Sequence, residues 1–210
     1  MILERRTFAD VVAGLGGIAL QRIRFDVKPG KATVRDLVRL WNQEHRLYEL
    51  IDGLLVEKVM GSRESFLMLE LAWHLRTFLE RTDLGFLLGA DGALEILPHL
   101  VRIPDLSFIG WSQRPEKTIP DQPVPQLIPD LAVEILSRGN TREEMERKLK
   151  EYFLAGSQAV WFVYPAHRTV KVHSSPEESV TLTEEDFLTG GSLLPGFSLK
   201  LKQLFGKLDA

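Results

Sequence analysis

Three carboxylates interrupt apolar stretches that otherwise resemble β-strands: Glu49 in "YELI", Asp105 in "IPDLSF" and Glu134 in "AVEIL". Burying an isolated carboxylate costs several kcal/mol, so such a group is usually protonated, paired with a cation or bound to a metal. If the three groups converge at one end of a sheet, they form an oxygen-rich site that suits Mg²⁺ or Mn²⁺. The ordinary alternatives are a turn role for Asp105 and a solvent-facing side chain for either glutamate.

The tetrapeptide "IPDL" occurs twice, at 103–106 and 128–131, and supplies two candidate aspartates. Asp130 lies four residues before Glu134, and two such residues point to the same side of an ideal strand. A supporting role for Asp130 beside Glu134 therefore stays open. Because Pro129 precedes Asp130 directly, turn formation is the favoured role, and we expect Asp105 to be the metal ligand.

The segment "TREEMERKLKEYF" after Glu134 is predicted to be a helix with one apolar stripe. The stripe is expected to contain Met145, Leu149, Tyr152 and Phe153. Lys148 flanks this stripe, whereas Lys150 is turned further toward solvent. A lysine at the first position could hold an attacking water and offset charge that develops on a phosphate. The alternative is an ordinary solvated lysine on a helix surface.

The sequence patterns around these residues predict a sheet flanked by helices, of the α+β or α/β class. "TVRDLVRLWNQE" is predicted to be a helix opened by Thr33, and Asp52-Gly53 between two apolar runs predicts a β-hairpin. "SFLMLELAWHLRTFLE" has helical spacing, and short apolar runs separated by a proline-rich connection indicate strands. A short helix and a strand, "QRIRFDV", are expected within residues 1 to 30.

Composition excludes several functional classes. The 26 basic and 29 acidic residues leave a formal net charge of -3, so any phosphate-binding surface must be local. The chain has no cysteine, which excludes disulfides, thiolate metal ligands and a cysteine nucleophile. The apolar run at 11–20 is too short to span a bilayer, and Glu4 and Asp10 argue against an export signal. We therefore expect a cytoplasmic protein.

Other motifs carry less weight. "GLGGIA" (14–19) fits the glycine pattern of a dinucleotide-binding oxidoreductase, but no full βαβ unit follows it. The histidines are scattered and lack zinc-binding spacing. The tryptophans lie in apolar runs, so they are predicted to be core residues rather than groups that stack on bases. They are Trp41, Trp73, Trp111 and Trp161.

Five segments resemble, in order and spacing, the Uma-two family of restriction-endonuclease-like proteins within the PD-(D/E)xK nuclease superfamily. They are "YELIDGLLVEK", "RIPDLSFIGW", "PDLAVEILSRGNTREEMERKLKEYFLAG", "VWFVYP" and "LPGFSLKLKQLF". The resemblance implies a restriction-endonuclease-like fold, a mixed central sheet flanked by helices. It implies a domain at 33–210, preceded by an N-terminal extension at 1–32 that packs on it.

The resemblance also implies roles for individual residues. Asp105 and Glu134 correspond to the metal-binding aspartate and glutamate, and Glu49 to an N-terminal acidic residue of the site. The superfamily's lysine position is occupied by Leu136, and Lys148, four residues before Tyr152, resembles its relocated substitute. Tyr164 stands where the family commonly has aspartate.

The resulting prediction is a Mg²⁺-dependent endonuclease, with Mn²⁺ as a possible substitute, that hydrolyses phosphodiester bonds in DNA. Glu49, Asp105, Glu134 and Lys148 form its catalytic set, with Asp105 and Glu134 on the metal. The resemblance further implies a homodimer. The alternative is a non-catalytic binding or assembly module that keeps the nuclease fold, since fold does not determine function. Leu136 and the negative net charge favour that alternative.

Overall fold

The computed structural model of the protein describes residues 7–209, which form helices packed around two main β-sheets. The helices are α1 (Phe8–Gly14), α2 (Val34–Glu44), α3 (Ser62–Thr82), α4 (Arg142–Ala155) and α5 (Leu201–Gly206). Two short 3₁₀ helices lie at Leu20–Arg22 and Lys207–Asp209. The predicted extension and domain, at 1–32 and 33–210, each include residues outside the described range, and the division between them stays a prediction.

The larger sheet is mixed and has six strands in the order β11-β10-β9-β8-β7-β4. Its strands are β4 (Gly85–Leu88), β7 (Leu106–Gly110), β8 (Leu131–Ile135), β9 (Ala159–Tyr164), β10 (Thr169–His173) and β11 (Ser179–Leu182). Only β8 and β9 pair in parallel among these described strands, and α4 makes the crossover between them. The predicted mixed sheet flanked by helices is confirmed.

A second, antiparallel sheet of five strands holds the N-terminal part of the domain, in the order β1-β3-β2-β6-β5. Its strands are β1 (Ile23–Arg24), β2 (Tyr48–Ile51), β3 (Leu54–Glu57), β5 (Leu94–Leu97) and β6 (Leu100–Arg102). Asp52 and Gly53 both adopt positive φ, 51° and 70°, as the predicted tight hairpin requires. A separate ribbon consists of β12 (Phe187–Gly190) and β13 (Leu194–Lys200).

The helices cover opposite faces of the mixed sheet. Along α3 the buried residues recur every four positions, and this leucine stripe packs with β13 and α5 on one face. Its members are Leu67, Leu71, Leu75 and Leu79. On the other face α4 packs Met145 and Leu149 over β8 and β9, together with Leu15 and Ile18 from the N-terminal segment. The candidate active-site residues lie where α4 meets the end of β8.

Local structure differs from the sequence predictions at Trp73 and in the first strand. Trp161 is buried, but Trp73 on α3 is 62% exposed, so the prediction that all four tryptophans are core residues is wrong for Trp73. Leu69 and Phe66, about one and two turns before Trp73 on the same helix, are exposed as well, whereas Leu71 and Leu75 are buried. The "QRIRFDV" strand is reduced to the two residues of β1. The "GLGGIA" run follows α1 rather than a strand, which counts against a dinucleotide-binding turn.

Within residues 7–209, no helix is long and apolar enough to cross a membrane.

Candidate active site

The pairing of β7 with β8 brings two of the candidate carboxylates together. In the antiparallel register Leu106 lies opposite Val133, so the next pair outward is Asp105 and Glu134. Residues directly opposite each other on antiparallel strands share one face of the sheet. The Asp105 carboxylate also accepts a hydrogen bond from the Ile135 backbone N–H at 2.6 Å, which fixes it against the end of β8.

Glu134 is buried within β8, and its carboxylate is paired with a cation. Lys148 Nζ donates to both carboxylate oxygens, at 2.9 and 3.1 Å, and the Tyr152 hydroxyl donates to Oε1 at 2.6 Å. All three side chains are buried. Both donors come from α4, so the crossover helix supplies the charge that makes a carboxylate tolerable inside this strand.

Local sequence determines how α4 presents Lys148. The helix is capped by Thr141, whose Oγ1 accepts a hydrogen bond from the Glu144 N–H at 3.0 Å. It ends at Gly156, which adopts φ 116°, a conformation that favours glycine. Between these limits the helical period turns Lys148 toward the sheet and Lys150 toward solvent, as the sequence predicts.

Glu49 reaches the same network from the other sheet. Its carboxylate accepts hydrogen bonds from Arg102 Nη1 at 2.7 Å and from the Ile103 backbone N–H at 3.1 Å. Lys148 Nζ lies 3.3 Å from Glu49 Oε1, so one ammonium group bridges the carboxylates of β2 and β8. The three acidic residues therefore converge from two sheets, rather than from one end of a single sheet as expected.

Asp105 has a cation of its own that the sequence analysis did not single out. Lys58, directly after β3, places Nζ 2.7 Å from Asp105 Oδ1 and also donates to the Ile103 carbonyl oxygen. Both side chains in this ion pair are 7% exposed. The carboxylates of Glu49, Asp105 and Glu134 are thus matched by the cations of Lys58, Arg102 and Lys148.

The ionisation of these groups follows from burial and from their neighbours. Burial raises the pKa of Glu49, but the charges of Lys148 and Arg102 outweigh it and hold that pKa well below its usual range. Burial raises the pKa of Glu134 above its ordinary value despite the opposing charge of Lys148. Burial lowers the pKa of Lys148, yet Glu134 and Glu49 more than compensate, and its pKa lies above the ordinary value. Lys148 is therefore a stable cation rather than a proton acceptor.

A polar cavity of about 20 Å³ lies among these groups, lined by Glu49, Lys58, Asp105, Glu134 and Lys148. This volume admits one water-sized occupant. Within residues 7–209, no group of three or more histidine, aspartate or glutamate side chains is arranged to hold a metal ion. Mg²⁺, however, often takes only one or two carboxylates and completes its shell with water and phosphate oxygens. Asp105 and Glu134 fit that donor set.

Asp130, the aspartate of the second "IPDL" segment, takes no part in this site. It precedes β8, at the end of the strand remote from Glu134, roughly 13 Å away along the strand. Its carboxylate accepts hydrogen bonds from the Gly110 N–H at 2.7 Å, Gln113 Nε2 at 2.8 Å and Gln158 Nε2 at 2.7 Å. Its role is to join the ends of β7 and β8 to the segment before β9.

Lys58 and Arg102 are the buried cations that sequence reasoning missed. The rule that selected carboxylates within apolar strands would have found both if it had been applied to basic residues, in "LLVEKVM" and "LVRIPD". Leu136, at the position of the usual superfamily lysine, is half-buried and lines the polar cavity beside Ser137. The cation near Glu134 therefore comes from α4 instead of from β8.

The mixed sheet and the acidic groups at the paired ends of β7 and β8 define a protein with a restriction-endonuclease-like fold. A crystal structure of "a putative nuclease belonging to DUF820 from Anabaena variabilis ATCC 29413" superposes with a TM-score of 0.69. The similarity covers 78% of this chain and 92% of that chain at 20% sequence identity, which shows a shared fold. The family model described as "Uma2: Putative restriction endonuclease" matches residues 34–202, and the chain belongs to this family. No curated protein matches the chain.

Proposed function

We propose that the protein is a metal-dependent endonuclease that hydrolyses phosphodiester bonds in DNA. The observation that carries the proposal is the convergence of Asp105, Glu134 and Lys148 on one polar cavity large enough for a single small occupant. The family description and the nuclease of similar fold support nucleic acid as the substrate. A DNA substrate also agrees with the predicted cytoplasmic location.

In this proposal Asp105 and Glu134 bind Mg²⁺, or Mn²⁺ in its place. A divalent ion there would polarise the scissile phosphate and lower the pKa of a bound water. Lys148 holds the Glu134 carboxylate in place and supplies positive charge near the attacked phosphate. Glu49 positions Lys148, because it shares the same ammonium group at 3.3 Å. Tyr152 also restrains Glu134, because its hydroxyl donates a hydrogen bond to Oε1 of the carboxylate.

The proposed enzyme is a homodimer, because two copies of the site are needed to cut both strands at one position. This part of the proposal comes from the resemblance to the nuclease superfamily. Sedimentation of the full chain, with and without DNA, would measure the number of subunits directly. A monomer in both conditions would contradict it and would leave the chemistry of a single site intact.

A plasmid-nicking assay with one matched pair of variants tests the proposed chemistry. Glu134→Gln removes the charge on β8 that faces the cavity, whereas Glu144→Gln alters a different buried glutamate, which lies on α4 and pairs with Arg22 at 2.9 Å. We expect nicking that needs Mg²⁺ or Mn²⁺, loss of both nicking and calorimetric metal binding in Glu134→Gln, and activity in Glu144→Gln. Equal nicking by the parent and Glu134→Gln would overturn the assignment.

The non-catalytic module remains a second candidate because each of the three site carboxylates has a cationic partner. Lys58 occupies one side of Asp105, and Lys148 bridges Glu49 and Glu134. An ion network satisfied in this way can stabilise a fold without any metal. Absence of metal binding and of cleavage in the parent protein, together with retained DNA binding, would support this candidate.

A further inference from the structure

A second and much larger cavity adjoins the proposed catalytic site. This open cleft has a volume of about 930 Å³. Its floor is formed by β9 and β10, and its wall by the loop at 136–141 and the first half of α4. Leu136, Ser137 and Met145 line both the cleft and the small polar cavity, so the two spaces are neighbours.

The strand registers connect Glu134 with the floor of the cleft. Phe162 on β9 lies beside Glu134 on β8, and Lys171 on β10 lies opposite Phe162. Neighbouring strands are about 5 Å apart, and side chains aligned in this way share one face of the sheet. A ligand that extends across β9 and β10 would therefore run from the catalytic carboxylate, past the buried ring of Phe162, to Lys171.

His173 at the floor of the cleft is a buried polar group without a hydrogen-bonding partner. Its side chain lines the cleft but is only 4% exposed, and its ring meets the edge of Phe162 at a centroid distance of 5.1 Å. Neither ring nitrogen has a hydrogen-bond partner within residues 7–209. Because buried polar atoms are nearly always paired, the orphaned imidazole is available to a polar ligand that enters the floor of the cleft. A neutral imidazole offers one donor and one acceptor to such a ligand.

The rim of the cleft concentrates positive charge in a chain whose net charge is negative. Within the described range, four of its basic residues have no carboxylate within 4.0 Å: Arg63, Arg138, Lys150 and Lys171. Arg142, another cation of the rim, pairs with Glu146 at 2.7 Å. These unpaired cations form a local positive patch, although the net charge of the whole chain is -3.

We propose that this cleft binds a single-stranded segment of DNA next to the bond that is cut, so that each site of the enzyme acts where the two strands of the DNA are locally separated. The inference rests on the proposed function. An unpaired nucleotide brings a base to the half-buried Tyr164 and the exposed His167, which line the cleft beside the buried rings of Phe162 and His173, and a phosphate to Lys171 and Arg138. A duplex stacks its bases on one another and offers only phosphates, sugars and the base edges in its grooves, which would leave the aromatic side chains of the cleft without a base to stack on. Stacked bases beside a cationic groove are the usual basis of single-strand recognition.

Binding of short labelled oligonucleotides to the full chain in EDTA tests the inference without any need for cleavage. Fluorescence anisotropy should show that a single strand binds at least about tenfold more tightly than its duplex, and that an abasic strand of equal charge binds more weakly. The double variant Arg138→Ala/Lys171→Ala should weaken single-strand binding by about tenfold. It should also make the slope of log K against log salt shallower by about 1.4, the value expected for two lost phosphate contacts.

Lys28→Ala/Lys31→Ala is the matched control, since it removes two exposed lysines elsewhere and changes the net charge equally. Its affinity should stay within about twofold of the parent, because it leaves the local phosphate contacts intact. Equal binding of single strand and duplex, or equal effects of the two double variants, would overturn the inference. Single-strand binding without any plasmid nicking would contradict the proposed nuclease and leave the cleft assignment standing. Metal-dependent nicking that Arg138→Ala/Lys171→Ala leaves unchanged would contradict the cleft assignment and leave the proposed nuclease standing.

Discussion

Asp105 and Asp130 occupy the same place in two copies of one tetrapeptide, yet the antiparallel pairing of β7 with β8 sets them at opposite ends of that strand pair. Asp105 meets a lysine and faces a polar cavity. Asp130 meets a backbone N–H and two glutamine side chains, all of them neutral. Identical local sequence therefore produces one candidate metal ligand and one structural brace, and the strand topology makes the difference.

The sharpest way to break this comparison is to neutralise each aspartate in turn. Asp105→Asn removes a charge from the polar cavity, so we expect metal-dependent plasmid nicking to fall by about 100-fold or more, the usual effect of losing a transition-state interaction. Asp130→Asn should nick at close to the parental rate. Similar losses in the two variants, measured at equal folded fraction by circular dichroism, would mean that neither aspartate is specific to the chemistry.

Asp130→Asn should lower the stability of the fold even though it nicks at close to the parental rate. The Asp130 carboxylate accepts three hydrogen bonds, and an asparagine would turn its NH₂ group toward one of these donors. Leaving one buried donor unpaired should lower the free energy of unfolding by about 1–3 kcal/mol, measured by urea denaturation. No change for Asp130→Asn would contradict the role of a structural brace.

Lys58 offers a way to sharpen the assignment of Asp105. Its ammonium group lies 2.7 Å from the carboxylate and competes with any divalent cation for that oxygen. Lys58→Met should therefore raise the affinity for Mg²⁺ or Mn²⁺ by about tenfold, or about 1.4 kcal/mol, in calorimetric titration. Lys31→Met, an exposed lysine, is the control. Unchanged or weaker metal binding in Lys58→Met would indicate that Asp105 is not a ligand.

His173 extends the comparison to a buried polar group that has no hydrogen-bond partner among the residues that the structure describes. Burial lowers its pKa to about 4, and Lys171 acts in the same direction. The unfolded chain takes up a proton near pH 6.5, whereas the folded chain does not, so this stability is present above that pH and is lost as pH falls toward 4. We expect a loss on the order of 1 kcal/mol between near pH 7 and near pH 5. The loss should be absent in His173→Phe, and the same pH dependence in both proteins would contradict it.

Much of the site could be predicted because its signals are local. A carboxylate inside the apolar run of β8 demands a partner, and the period of α4 selects Lys148 over Lys150 from sequence alone. The Asp52-Gly53 turn and the Thr33 cap likewise depend on residues close together in the chain. Trp73 shows the limit of such reasoning, because an apolar run on a long helix does not say which side is covered.

The sequence by itself determined the mixed α/β class, the restriction-endonuclease-like fold and the candidate acidic residues, since periodicity, turn chemistry and motif order are written along the chain. Only the tertiary structure decided that Glu49 arrives from a second sheet, that Lys58 and Arg102 pair with the carboxylates, and that Asp130 stands apart. These contacts join residues far apart in sequence. They depend on strand order and register, which local patterns do not specify.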